Sequence, residues 1–406
     1  MNGMKKAKAF ITDLFFSASG LIAMNACISF LVYPLIYRQL GTSMQGRVLF
    51  FVSLANLIAG SFGSGANYGR MKIFSRYKKS YNGDSNIYLL LLALLSLMVS
   101  AAAVIIKKDS AETGWLFIAV LIFATSVRMY GDVEYRLSLN YRRFSLYYLV
   151  ITVGYLAGIL LFFLTKKWIL IFLTGELFGI LFVILTGQIF KGPLFQRSEL
   201  FRENLSTDAK VSVSFFMADL VGASDRFLFP VLLHNGDELT SLYYYASLVG
   251  KMMSLLSTPL NGVLNGYISR DEGKLKPKTF LKMLIAMLLI FVIVTAVSVG
   301  ISMIFVRMFY ADAYDKVRTL FLIANAGQVI FFVGNTLMVV VLRYTKERNQ
   351  LIVNGIYILL FFTLAIPLIR KYSIQGMAWG ILIVNTVRFL AFSGIGLLSL
   401  TKEGNP

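Results

Sequence analysis

The stretch IYLLLLALLSLMVSAAAVII, residues 87–106, contains no charged side chain and lies between Asp84 and Lys107. A helix rises about 1.5 Å per residue, so a run of about twenty apolar residues matches the roughly 30 Å hydrocarbon core of a bilayer. Comparable runs recur on both sides of it. The spacing predicts spans at 14–37, 48–68, 87–106, 115–135, 144–164 and 168–190, then at 211–233, 242–268, 280–305, 317–342, 351–369 and 374–398. The expected fold is an all-α membrane protein of about 12 transmembrane helices. With 57% hydrophobic residues over 406 positions, the chain has too little polar surface to cover a water-soluble protein of this size.

The net charge of +19 first raises the question of nucleic acid. The basic residues do not form one patch, however. They fall mainly in alternate short loops, with about 24 Lys and Arg on one side and about 11 on the other. Arg70, Lys72, Arg76, Lys78 and Lys79 follow the second span, and Arg270, Lys274, Lys276, Lys278 and Lys282 follow the eighth. This is the positive-inside pattern. It predicts a multi-pass protein of the cytoplasmic membrane with both termini cytoplasmic, membrane lipids as partners and no nucleic acid. Lys5, Lys6 and Lys8 precede an apolar run too long for a cleaved signal, so the first helix is expected to be retained.

The expected domains are an N-terminal lobe at 1–190, a cytoplasmic linker at 191–210 and a C-terminal lobe at 211–406. Cys27 and His234 are the only residues of their types, which leaves no disulfide and no zinc constellation; neither cofactor nor metal is expected. The outer loops are too short to carry acid–base chemistry outside the membrane, so an enzyme is not expected.

Charges inside spans carry the functional signal. Each costs roughly 2.5–3.5 kcal/mol at the bilayer centre even on lenient scales, so each needs a wet cavity or a partner. Four basic residues are so placed: Arg128, Arg226, Lys251 and Arg388. Arg128 can pair with Asp132 four residues on. Arg226 follows Asp225, and sequence neighbours point to different helix faces, so each is expected to need another partner. Arg388 follows Asn385 and can snorkel, bridge helices or contact a passenger.

Polar residues also share helix faces. In the eighth span Ser247, Lys251, Ser254, Thr258, Asn261 and Asn265 fall within an arc of roughly 80°. In the second, Ser53, Asn56, Gly60, Gly63, Ser64 and Asn67 lie within roughly 100°. The tenth adds Arg318, Asn325, Gln328 and Asn335. Cavity lining and close helix packing both account for such stripes, although packing does not account for Lys251. The acids Asp132, Glu176, Asp219 and Asp225 are also embedded; Asp132 and Asp225 are the candidates for ion coupling. A mainly cationic cavity favours an anionic passenger, because guanidinium groups hold phosphate oxygens through paired charge-assisted hydrogen bonds. A multidrug or cation antiporter of the same fold would call for carboxylates and aromatics instead.

Three segments resemble bacterial polysaccharide flippases. Tyr37, Arg38, Gln39, Leu40 and Gly41, followed by Gly46, Gly63, Gly65 and Arg70, are similar to that family's first loop and second helix. Ser224, Asp225 and Arg226, followed by Tyr243, Tyr244, Tyr245 and Ala246, resemble its seventh span and the start of its eighth. Tyr372, Ser373, Ile374, Gln375, Gly376, Met377 and Ala378 resemble its entry into the last helix, with Ser373 in place of the usual glycine.

The family is the O-antigen type within the multidrug, oligosaccharidyl-lipid and polysaccharide exporter superfamily. The resemblance implies two six-helix lobes around a central cavity. It also implies a flippase that moves undecaprenyl-diphosphate-linked oligosaccharide to the outer leaflet of the bacterial inner membrane, in lipopolysaccharide or related polysaccharide biosynthesis. Alternating access coupled to a proton or sodium ion is expected, with polysaccharide polymerase machinery as a candidate partner. Arg128, Arg226, Lys251 and Arg388 would then be diphosphate or acidic-sugar contacts, and Asn56, Asn261 and Asn265 hydroxyl partners.

Overall fold

The computed structural model describes residues 2–79, 81–107, 114–187, 189–192, 194–255, 276–344 and 347–402. Among the described residues the regular structure is entirely helical. In chain order the helices are α1 (Asn2–Cys27), α2 (Tyr33–Ile58), α3 (Ser64–Tyr77), α4 (Asn82–Lys107), α5 (Trp115–Gly131), α6 (Val133–Leu137), α7 (Tyr141–Thr165), α8 (Ile169–Thr186), α9 (Phe201–Leu232) and α10 (Gly236–Leu255). They continue with α11 (Pro277–Phe309), α12 (Ala311–Val317), α13 (Phe321–Tyr344) and α14 (Glu347–Lys402).

Eight runs are long and apolar enough to cross a membrane. Two of them, Ala18–Phe74 and Ile352–Leu400, extend over 57 and 49 residues, and each holds a pair of the expected spans. The seventh expected span falls in α9. The eighth opens in α10, and its remainder, with Thr258, Asn261 and Asn265, lies outside the described residues.

Both long runs break where the sequence motifs put a turn. Gly41 has φ 81° and ψ 175°, and no atom lies within 4 Å of where its Cβ would be, so the dihedral and not the space requires glycine. Ser373 has φ 54° and ψ −126°, a region costly for any residue with a Cβ. Just beyond it, a Cβ on Gly376 would overlap the Leu368 carbonyl, so glycine lets the two arms of α14 close. Ser373→Gly is expected to stabilise the protein by about 1 kcal/mol, relief of strain outweighing the extra freedom of the unfolded chain. A higher midpoint of thermal unfolding in detergent checks this; a lower one means that the serine side chain contributes more than its backbone costs.

The chain separates into two compact units, Met1–Arg226 and Phe227–Pro406. The first takes in the expected linker and α9 as far as Arg226. In this unit α7 packs on α8 through glycine. A Cβ on Gly154 would stand 2.8 Å from the Gly175 Cα, and one on Gly158 2.7 Å from the Ile171 Cα. Such close backbones replace the hydrophobic drive that lipid does not supply. In the second unit Phe280, Val329, Leu337, Val341 and Phe392 form one buried cluster from α11, α13 and α14. Leu164, Leu185 and Ile304 are 81%, 77% and 70% exposed, as befits side chains whose solvent is lipid.

Two π-helical turns flank α2, Ile28–Val32 before it and Ala59–Gly63 after it. Each inserts extra backbone into the helical ladder and shifts the faces of the segments it joins.

Candidate functional site

Within the first unit, the embedded charges divide into a sealed group and an open one. Arg128 is sealed. It is 3% exposed, and its Nε donates to both carboxylate oxygens of Glu176 at 3.0 and 2.8 Å. The Tyr155 hydroxyl also donates to Glu176, at 3.1 Å. The partner expected from the sequence was Asp132, but α5 ends at Gly131 and Asp132 caps it, so the helical spacing that would join the two does not continue. Asp132 instead accepts two bonds from Arg136, at 2.8 and 2.9 Å, one from Tyr148 at 2.8 Å and one from Asn67. Asn67, on the expected polar stripe, is thereby part of the packing. Arg128 and Asp132 are each buried and each paired with a charge of opposite sign within the protein.

The open group lies on α9 and beside the second π turn. Asn56 is exposed on α2, shortly before Ala59–Gly63. Asp219 is exposed on α9, and the Ser61 hydroxyl of the π turn stands 3.5 Å from its Oδ2. A Cβ at Gly60 would lie 3.4 Å from the same carboxylate oxygen. Asp219 and Arg226 are two helical turns apart and therefore share one face of α9. Arg226 is half-buried, and its Nη1 lies 3.7 Å from Asp225 Oδ1. The sequence neighbours do reach each other, because a long guanidinium arm bends round the helix. An exposed carboxylate in the middle of an expected span needs water or a cation beside it. Sequence periodicity placed Asp219 in the membrane but did not select it; its signal is the match with Ser61 across two helices, which one chain of letters does not display.

In the second unit Lys251 is half-buried, with its Nζ 5.9 Å over the Tyr243 ring. The expected stripe on the tenth span splits by function. Asn325 is a packing residue: its Oδ1 accepts from the Gly250 N–H at 2.7 Å and its Nδ2 donates to the Phe321 and Ala246 carbonyls at 2.7 and 3.1 Å. Asn335 turns to Arg388.

Arg388 is 8% exposed, yet no acid pairs with it among the described residues. Its Nη1 donates to Asn335 Oδ1 at 2.8 Å and its Nη2 approaches the Met338 sulfur at 3.5 Å. The guanidinium lies 5.0 Å from the Tyr357 ring, 5.3 Å from Phe331 and 5.6 Å from Phe392. Tyr357 is itself held by Asn385, at 2.9 Å, and Asn385 by the Gly327 carbonyl, at 2.8 Å. The Arg388 Nε is buried without a hydrogen-bond partner. Aromatic faces stabilise a cation partially but do not neutralise it, so a full positive charge with a spare donor remains here. No group of His, Cys, Asp and Glu able to hold a metal occurs among the described residues.

Long apolar helices with isolated charges held at depth define a multi-pass membrane protein. The fold specifies the architecture further: it is that of MATE family transporters of the MOP superfamily. An inward-facing multidrug resistance MATE transporter superposes with a TM-score of 0.65 at 13% identity, over 96% of each chain. A eukaryotic MATE transporter gives 0.65 at 13% identity, over 97% of this chain and 99% of that one. A MOP superfamily transporter from Pyrococcus furiosus, described as having a binding pocket of reversed polarity that suggests a different function, gives 0.58 at 14% identity over 97% and 96%. No protein-family model and no curated protein matches the sequence.

Proposed function

We propose that this chain is a transporter that moves an amphipathic anion, of the lipid-diphosphate-linked oligosaccharide class, across the cytoplasmic membrane by alternating access. The carrying observation is Arg388, a buried cation with no acidic counterpart among the described residues and one donor unused. A phosphate or carboxylate oxygen supplies what that site lacks. Arg226 and Lys251 are further anion contacts, with Asn56, Asn261 and Asn265 as hydroxyl partners. Arg128 and Asp132, already satisfied within the protein, hold the fold. The flippase resemblance supports this cargo, and the Pyrococcus neighbour shows that the superfamily fold has been described with a pocket of reversed polarity.

A second reading, a multidrug or cation antiporter, has a specific observation in its favour. The multidrug resistance transporter is among the chains of the same fold, and Asp219 places an exposed carboxylate within a span. On fold likeness the second reading stands at least level with the first.

Proteoliposomes separate the two. With the purified protein, a fluorescent undecaprenyl-diphosphate sugar is expected to exchange between leaflets while ethidium is not exported. Ethidium export without lipid movement overturns the anion reading.

Proton or sodium coupling is assigned to Asp219, which is exposed, and to Asp225, which is buried beside the Arg226 guanidinium. Asp219→Asn is expected to abolish the response of transport to an imposed ion gradient while leaving downhill exchange within about threefold of wild type. An unchanged gradient response removes Asp219 from that role.

A further inference from the structure

Near the start of α9 the helix meets α3 across two glycines. Gly65 and Gly69 lie one turn apart on α3, and they receive Ser212 and Asp208, one turn apart on α9. A Cβ at Gly65 would stand 2.8 Å from the Ser212 Cα, and one at Gly69 would overlap the Asp208 carboxylate. Small residues at this spacing let two backbones approach closely, and here the approach closes over a carboxyl group.

Asp208 is 4% exposed and its Oδ1 has no hydrogen-bond partner. The charged and titratable groups that face it are Arg70 on α3 and Asp84 and Tyr88 on α4. Each has other bonds. Arg70 donates to the Tyr130 hydroxyl and, at 2.7 Å, to Asn82 Oδ1. Asp84 accepts from the Ser198 N–H at 2.9 Å, from the Ser198 hydroxyl, and from Asn204 at 2.6 Å. The Tyr88 hydroxyl shares a 2.8 Å bond with Ser212.

A carboxylate ion without a hydrogen bond in such a place costs several kcal/mol, whereas the neutral acid costs far less. Burial, opposed by Arg70 and reinforced by Asp84, pushes the Asp208 carboxyl up to about 8. The residue lies ahead of the span expected to open at Val211, in a segment that the basic-residue pattern assigns to the cytoplasmic side.

We propose that Asp208 is a proton-binding site, protonated while it is seated on Gly69 and releasing that proton to cytoplasmic water when the contact between α3 and α9 opens. Closing the contact requires uptake of one proton, so proton movement is tied to a helix movement. This deepens the transporter reading by naming the coupling ion as a proton and adding Asp208 as a carrier beside the exposed Asp219. The proton-binding claim itself can be tested without cargo.

The test is infrared difference spectroscopy on the full-length protein in lipid nanodiscs. A protonated-carboxyl C=O band is expected in wild type at pH 7, fading as pH rises through about 8 and missing from Asp208→Asn. Asp208→Glu, which keeps the carboxyl, is expected to retain a band at shifted frequency and covers the case in which the asparagine variant misfolds. A wild-type spectrum at pH 7 identical to that of Asp208→Asn, or an Asp208→Glu band that does not move, overturns the site.

Thermal unfolding supplies a second readout. Between the ordinary carboxylate value near 3.8 and about 8, the folded protein holds a proton that the unfolded chain has lost. Stability is therefore expected to fall as pH rises through that window, and to fall less in Asp208→Asn. An equal slope in both proteins counts against the proposal. Loss of lipid transport with the band intact would sink the cargo reading and leave the proton site standing.

Discussion

Glu176→Gln is expected to destabilise the first unit by about 3–5 kcal/mol, the usual cost of leaving one member of a buried ion pair charged and alone. The Arg128 guanidinium is 3% exposed and points its Nε at both Glu176 oxygens, so a glutamine amide meets it with one acceptor and no charge. Tyr155 also loses its anionic acceptor. The paired change Arg128→Met with Glu176→Leu removes both charges and fills similar volume; it is expected to restore wild-type stability or exceed it by about 1–4 kcal/mol. Unfolding midpoints of the two proteins in detergent decide the matter. If the double variant is as unstable as the single one, the pair does more than neutralise itself, and Arg128 returns to the list of passenger contacts.

Arg388→Met is expected to move stability and transport in opposite directions. Methionine suits a pocket walled by Phe331, Tyr357 and Phe392, and replacing an unneutralised buried cation relieves desolvation, so stability rises by roughly 1–3 kcal/mol. Transport of the proposed lipid-diphosphate substrate falls by roughly 100-fold, in line with loss of one partner of a desolvated charge pair. Arg388→Lys recovers part of the rate, since a lysine retains the charge without the planar fork. Leaflet exchange in proteoliposomes, measured beside thermal unfolding, gives both signs. A less stable protein with full transport would make Arg388 a packing residue held by Asn335 and its rings.

The same residues show what a sequence discloses and what it does not. Span-length apolar runs reported the helices, because bilayer thickness acts on each segment by itself. The turns at Gly41 and Ser373 were legible through their motifs, and the serine proved to adopt a positive φ at the place where the resemblance expects glycine. Partners were less legible. Arg128 and Asp132 have the spacing of an ion pair, but the helix stops between them and tertiary packing brings in Glu176 and Arg136 instead. Asp208 gave no signal at all: its neighbours, Gly69 and Asp84, are far away in the chain, and only folding removes its water.

The two π turns at either end of α2 have a mechanical consequence. A π turn is an extra residue lodged in the backbone ladder, and it can pass along a helix by exchanging one hydrogen bond for the next. Each such step turns the residue it passes by about 100° and leaves the helix on either side in phase. The Gly41 turn divides α2, so the two π turns belong to separate spans, and the second of them sets the face that Asn56, three residues ahead of it, presents relative to α3.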